Sequence, residues 1–304
     1  RKMASERVFS YRLGWDNEKR VPTELGNFTE IVTEQLRLLL EREWQENAKL
    51  HENQKEERRH WGFVDMKAEQ FAGRAELLSN CRQKLETESG RLLIVGEAGS
   101  GKSTIWSKLT SDYRAQGWNV YPFICGNTGR SASAMDILKQ WIFYVEGLLG
   151  VEHFEEEGKS EREGELSDSL QGMSESVNKT EEDWKGRLRD VLAMYCAKGD
   201  SPQLLLAADG LDQLNHDELA ENFGFLPVFS QKKVHFLLSC LKDYQRKQYD
   251  GDDIAVNAMT QQERIEVLHG MLSYQRKGLD IAVIDEVMKK KGADNPLYLS
   301  LLMQ

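Results

Sequence analysis

Cysteine is scarce and dispersed. The chain of 304 residues has four, Cys81, Cys125, Cys196 and Cys240, with no C-x-x-C pair and no histidine at ligand spacing. Neither a zinc site nor a disulfide framework is indicated, and the cysteines in or beside apolar runs read as core residues. No stretch reaches the roughly 18 apolar residues of a membrane span, and no charged-then-apolar signal segment opens the chain. The expected setting is therefore the reducing cytoplasm, with no membrane partner. Excess positive charge is also missing. The formal net charge of −10 argues against a generic nucleic-acid-binding protein, although an acidic chain can still carry a local basic surface. Internal repeats are absent. The sequence begins at Arg1 and stops within an apolar helical pattern at Gln304, which reads as a piece of a longer protein.

What is present is enough chain for two domains, or for one large α/β domain with helical additions. Three parts are expected. Residues 1–60 form an N-terminal segment with one long helix, the remnant of a preceding domain or a linker. In it, Val8, Ser10 and Arg12 alternate with Phe9 and Tyr11 as an edge strand would. Asn27 and Glu30 make a capping-box pattern before a helix over about 28–45, and the charged stretch 45–60 reads as a solvated helix or linker. Residues 61–259 form the main domain. A helix around 74–87 is followed by five short apolar runs, Arg91–Gly96, Trp118–Cys125, Leu204–Asp209, Val234–Cys240 and the weaker Ile254–Met259. Helical patterns lie between them, one marked by Met135, Leu138, Trp141 and Val145, another by Trp184, Leu188 and Val191. Strands alternating with helices imply an α/β fold with a parallel sheet covered on both faces. The acidic, Ser/Gly-rich stretch 151–182 reads as a flexible insertion. Residues 260–304 read as a small helical subdomain, opened by a Thr260/Glu263 capping box and closed by a helix beginning at Asn295-Pro296.

One segment carries explicit chemistry. Gly96-Glu97-Ala98-Gly99-Ser100-Gly101-Lys102-Ser103-Thr104 fits G-x-x-x-x-G-K-[ST] and stands between an expected strand and an expected helix, the context a P-loop requires. Glycines at 96, 99 and 101 let the backbone curl so that successive N–H groups face phosphate oxygens. The helix starting near Lys102 adds its positive end. Lys102 is expected to reach the β- and γ-phosphates, and the Ser103 hydroxyl to coordinate Mg²⁺. About a hundred residues on, Leu204–Asp209 is an apolar strand ending in a carboxylate, the Walker B pattern that delivers Asp209 to the far side of the metal. Asp212 is the candidate to orient or polarise an attacking water. The guanine-reading element N-K-x-D is missing. Its nearest approach, Asn178-Lys179-Thr180-Glu181, lies in the acidic insertion and lacks the Asp. ATP or ADP is therefore the expected nucleotide.

Taken together, these motifs resemble the STAND class of P-loop NTPases and its NACHT-type group. Phe71-Ala72-Gly73-Arg74 stands where that group has F-x-G-R, and Asp209-Gly210-Leu211-Asp212-Gln213-Leu214 is similar to its D-G-L-D-E-L block. Val234–Ser239 resembles its sensor strand, and Asn295-Pro296-Leu297-Tyr298-Leu299 its N-P-L-Y-L helix start. The resemblance covers about residues 64–304. It implies a sheet ordered 5-1-4-3-2, with Gly73, Arg74 and Pro296 joining the P-loop around the nucleotide. It also implies a closed ADP-bound form, and oligomerisation on ATP exchange under the control of sensor and effector domains outside the fragment. Gly210 stands where motor ATPases of the AAA+ type place a catalytic Glu, so slow hydrolysis is implied. Two departures point the same way: Gln213 replaces the usual Glu, and Ser239-Cys240-Leu241 lacks the sensor arginine, leaving Lys242 as the substitute. Two other readings of the P-loop remain, a kinase acting on a small acceptor and a nucleotide-binding scaffold that does not hydrolyse. The first needs a lid of arginines, of which the helical tail has Arg264 and Arg276.

Overall fold

The chain folds into two units, Arg1–Lys55 and Glu56–Gln304, in a computed structural model that describes residues 14–23, 28–86, 90–151, 180–214, 223–228, 231–244 and 249–303. The first unit holds a hairpin, β1 (Gly14–Asp16) and β2 (Val21–Thr23), paired antiparallel with Trp15 opposite Pro22. Its turn is closed by Asp16, whose carboxylate accepts from the backbone N–H groups of Glu18 and Lys19 at 2.9 and 3.0 Å. Helix α1 (Phe28–Ala48) follows. The strand expected over Val8–Arg12 and the Asn27 end of the capping box lie outside the described residues.

The charged stretch after α1 is largely helical. Helix α2 (Glu52–Glu69) contains residue 60, where a boundary was expected, and the two units divide at Lys55/Glu56 instead. The reason is burial: His60 and Val64 are fully buried, so the second half of α2 packs as part of the second unit.

In that unit each apolar run becomes one parallel strand: β3 (Arg91–Gly96), β4 (Asn119–Ile124), β5 (Leu204–Asp209), β6 (Val234–Leu241) and β7 (Asp252–Val256). Their order is β4-β5-β6-β3-β7. The labels differ from the expected 5-1-4-3-2 because the hairpin takes the first two numbers; counted within the sheet from β3, the same order reads 5-1-4-3-2 from the β7 edge. Alternate residues serve opposite faces. Leu92 and Ile94 pack with Ile105, Trp106 and Leu109 of α4 (Lys102–Ala115), beside α3 (Ala75–Leu85). Leu93 and Val95 pack with Trp141 of α5 (Ala134–Leu149) and Leu188 of α6 (Glu181–Ala197). Burying such side chains stabilises by about 1.5–3 kcal/mol each, enough to specify which face each helix covers. The insertion expected over 151–182 ends where Thr180 caps α6, and residues 152–179 lie outside the described residues.

Strand β7 is shifted from the expected Ile254–Met259. It starts at Asp252 and ends at Val256, because Met259 packs with Val267, Ala293 and Leu299 of the helical tail rather than with the sheet. The tail comprises α7 (Gln261–Gln275), α8 (Ile281–Lys289) and α9 (Pro296–Leu302). The Thr260/Glu263 capping box is formed at the start of α7. Cys81, Cys125 and Cys240 are buried, Cys196 is partly buried, and all four are free thiols. Among the described residues no helix is long and apolar enough to cross a membrane.

The edge of the sheet explains the buried histidine. Cys125 N–H bonds to Asp209 O on β5, so the N–H of Ile124 faces away from the sheet, where His60 Nδ1 accepts it at 3.1 Å. Burial pushes the His60 imidazole down to about 4, against a smaller opposing effect of Glu56. The unfolded chain then binds a proton near the ordinary value of 6.5 that the folded chain refuses until about 4. Stability should fall on acidification across that window, by roughly 3 kcal/mol in full. Urea midpoints at pH 7.5 and 4.5 measure it, and a His60→Gln variant with the same pH slope as the native chain would refute the assignment.

Candidate nucleotide-binding site

The P-loop leaves β3 at the point where the chain order of the sheet reverses, the usual place for a ligand in an open parallel sheet. Gly99 (φ +74°) and Gly101 (φ +94°) take left-handed backbone conformations that side chains disfavour. At Gly96 the constraint is contact: a Cβ there would lie 2.7 Å from Ser100 Oγ and 3.0 Å from Val256 O. Gly101 is the N-cap of α4 and offers no side-chain acceptor, so the first N–H groups of the helix lack a side-chain cap, an arrangement suited to an anion. Lys102 Nζ donates to the carbonyls of Gly96 and Glu97, both at 3.0 Å, which holds the ammonium across the mouth of the loop.

Strand β5 delivers Asp209 beside this loop, and the carboxylate is nearly fully buried. It accepts from the hydroxyls of Ser239 and Ser103, with Lys102 nearby. Burial raises its pKa above the usual carboxylate value, and the two hydroxyl bonds oppose that rise. Ser239 also accepts from Gly210 N–H at 2.9 Å, so one hydroxyl secures both Asp209 and the turn after it. Gly210 (φ +77°) turns the chain into a short 3-10 helix, Leu211–Gln213. Asp212 is partly exposed, and its carboxylate accepts from Leu241 N–H at 2.8 Å, joining this turn to the end of β6. The next residue, Lys242, donates its own N–H to Gly96 O at 3.2 Å and holds its ammonium 3.8 Å from Glu97.

On the side of the helical tail the loop borders a cleft of about 300 Å³. Gly99 to Ile105 form one wall, and Phe71, Ala72, Arg74, Met271, Tyr274 and Pro296 are among the residues of the others. Arg74 and Pro296 thus lie beside the P-loop. Gly73 does not line the cleft: at φ +65°, its missing Cβ would sit 3.2 Å from Val267 and 3.3 Å from Glu266, so it lets α7 approach. Gly96, Glu97, Ala98, Asp209 and Asp212 do not line it either. The buried Arg74 guanidinium donates to Asn257 O at 2.6 Å and to Ser100 O at 3.4 Å, with Glu263 at 3.8 Å, while its Nε–H is buried without a hydrogen-bond partner. Burial draws its pKa down and Glu263 opposes this.

Among the described residues no cluster of three His, Cys, Asp or Glu side chains could hold a metal by itself. The Ser103–Asp209 pair fits Mg²⁺, which takes few protein ligands and completes its shell with phosphate oxygens and water. Sequence reasoning missed Ser239 as a partner of Asp209. It also missed the walls supplied by Met271 and Tyr274, whose helix announced only a buried face.

A parallel sheet, a phosphate-binding loop and a buried carboxylate at the loop's serine define a nucleotide-binding P-loop NTPase. Residues 74–181 match the family model described as Novel STAND NTPase 3. That match supports a STAND-class P-loop NTPase region within the chain. Comparison with curated protein sequences returned no match. Among solved structures, the chain is similar to a DNA replication initiation factor at 14% identity and TM-score 0.41, over 75% of this chain and 58% of that one. It is also similar to a Walker-type ATPase of Pyrococcus abyssi at 13% identity and TM-score 0.44, over 74% and 65% of the two chains. A third is AMPPCP-bound DnaA from Aquifex aeolicus at 14% identity and TM-score 0.39, over 74% and 57%. The chain thus spans less than two thirds of the length of each of these structures.

Proposed function

We propose that the region binds ATP and hydrolyses it slowly, as a switch that controls self-association through the ATPase domain and passes signals between sensor and effector domains elsewhere in the protein. The observation that carries this reading is the cleft, whose walls are the P-loop on one side and α7 and α9 on the other. A nucleotide with its phosphates on the loop and its base in the cleft would touch both, so a change at the phosphates would alter how the helical tail is held. The apolar walls at Phe71, Met271 and Pro296 suit a purine ring, and with no N-K-x-D element the purine is adenine.

Lys102 would neutralise the β- and γ-phosphates, and Ser103 with Asp209 would hold Mg²⁺. When bound, that ion polarises the terminal phosphoryl group. Asp209 must be ionised for this, and its buried setting makes the proton part of the binding equilibrium. Gly210 offers no side chain to activate water, and Asp212 already accepts from Leu241 N–H, so hydrolysis is slow. Among the described residues, the helical tail sends no arginine into the cleft as a lid for phosphoryl transfer to an acceptor. Arg264 bonds to Met259 O, Arg276 is the exposed C-cap of α7, and neither lines the cleft.

Calorimetric titration with ATP, ADP and GTP in Mg²⁺, followed by single-turnover phosphate release and native mass measurement, tests the proposal. Adenine nucleotides should bind at least tenfold more tightly than GTP, phosphate should appear slowly and be lost in Asp209→Ala, and the mass should depend on the nucleotide. Equal binding of GTP, or transfer to a small acceptor faster than hydrolysis, would sink it.

A further inference from the structure

The P-loop is gripped from outside by the start of α9. Asn295 Nδ2 donates to Ala98 O at 3.2 Å, and Leu297 N–H is directed at Gly99 O at 3.3 Å. Asn295 Oδ1 also accepts from Leu297 N–H at 2.8 Å, capping α9. The approach is close enough that a Cβ on Gly99 would lie 2.8 Å from Leu297 Cβ and 2.9 Å from Asn295 Oδ1. Gly99 stands at a free position of the G-x-x-x-x-G-K-[ST] pattern, so here glycine answers both to its φ of +74° and to the tail.

A trans peptide carries its C=O and N–H on opposite edges. Fixing Ala98 C=O toward Asn295 fixes Gly99 N–H toward the inner side of the loop. Left alone, a peptide flanked by glycine can rotate cheaply, because glycine takes either sign of φ. Within the loop itself, Ser100 N–H closes a turn onto Glu97 O at 3.2 Å, and the Ala98 carbonyl is left to the tail.

We propose that Asn295 is a positioning residue for phosphate binding: it orients the Ala98–Gly99 peptide so that the loop's N–H groups face the nucleotide's phosphates. The proposal rests on the nucleotide reading above. It also makes the grip reciprocal, since phosphate that favours this peptide orientation favours the docked α9 by the same factor.

The test uses the whole chain and three ligands, ATP, ADP and adenosine. Asn295→Ser keeps a neutral N-cap but is too short to serve Leu297 and Ala98 together; Asn295→Asp keeps the cap and faces Ala98 O with a second acceptor. ATP and ADP affinities should fall about fivefold to tenfold in the Ser variant, the scale of one net hydrogen bond, and further in the Asp variant. Adenosine affinity should stay within about twofold of the native value, as should the melting behaviour without nucleotide. Loss confined to Asn295→Asp would mean charge repulsion only and would overturn the proposal. An equal loss for adenosine would overturn it too, by assigning Asn295 to the cleft as a whole. Native protein that binds no ATP would sink the parent reading instead.

Discussion

Lys102→Ala should lower the affinity for ATP by at least a hundredfold while leaving the fold intact. Lys102 Nζ satisfies two carbonyls of its own loop, Gly96 O and Glu97 O, on a partly exposed side chain. In the free protein its removal frees the exposed Glu97 carbonyl and leaves Gly96 O its bond from Lys242 N–H, and so costs about 1 kcal/mol or less. Against a bound triphosphate the same ammonium makes charge-assisted bonds, worth about 1.5–3 kcal/mol each, in a site partly shielded from water. Two such bonds correspond to a factor of a hundred or more. Adenosine, which lacks phosphates, should bind the variant and the native chain alike. Fluorescent-nucleotide titration with thermal melts on the same samples gives both numbers. Retained ATP affinity would contradict the phosphate assignment, and a collapsed melting transition would show that Lys102 is structural.

Gly270→Val should release α7 from the main domain. A Cβ on Gly270 would lie 2.1 Å from Ala72 Cβ, far inside any real contact, and Ala72 is held between Phe71 and the left-handed Gly73. Neither partner is the far end of a flexible side chain, so the helix must move. Overpacking of this kind destabilises by about 1–3 kcal/mol, and more when two side-chain groups are forced in. Because Phe71, Ala72 and Met271 wall the cleft, adenosine binding should be lost together with stability. Gly62 on α2 is the control: a Cβ there meets nothing within 4 Å, so Gly62→Ala should be neutral or stabilising by up to about 1 kcal/mol. Denaturant melts and adenosine titration compare the two. A Gly270→Val chain with native stability and binding would show that α7 does not dock on Ala72.

Features that depend on neighbouring residues are legible in the sequence. Arg91–Gly96 reads as a buried strand from its apolar run, and the loop that curls between Gly96 and Lys102 announces itself through glycine spacing. Capping at Thr180 is hidden by the acidic composition before it, whereas Thr260 and Glu263 are visible because both halves of the box lie within one turn beside an apolar pattern. Strand β7 is misplaced by a few residues because Ile254 to Met259 carries apolar residues to its end, and only packing assigns Val256 to the sheet and Met259 to the tail. A boundary near residue 60 overlooks α2 because a charged helix with few buried residues, His60 and Val64 among them, carries almost no periodic signal.

By itself the sequence determined a strand, a glycine-rich loop and a helix in succession, a carboxylate at the end of a later strand, and hence a phosphate-binding chemistry. These rest on local backbone geometry, which neighbours along the chain control. The tertiary structure alone decided that Ser239 holds Asp209, that Asn295 holds the Ala98 carbonyl across 197 positions of sequence, and that Gly270 seats α7 on Ala72. Such contacts join segments whose separation in sequence says nothing of their distance in space, so they exist only once the sheet has ordered its strands and the helices have packed upon it.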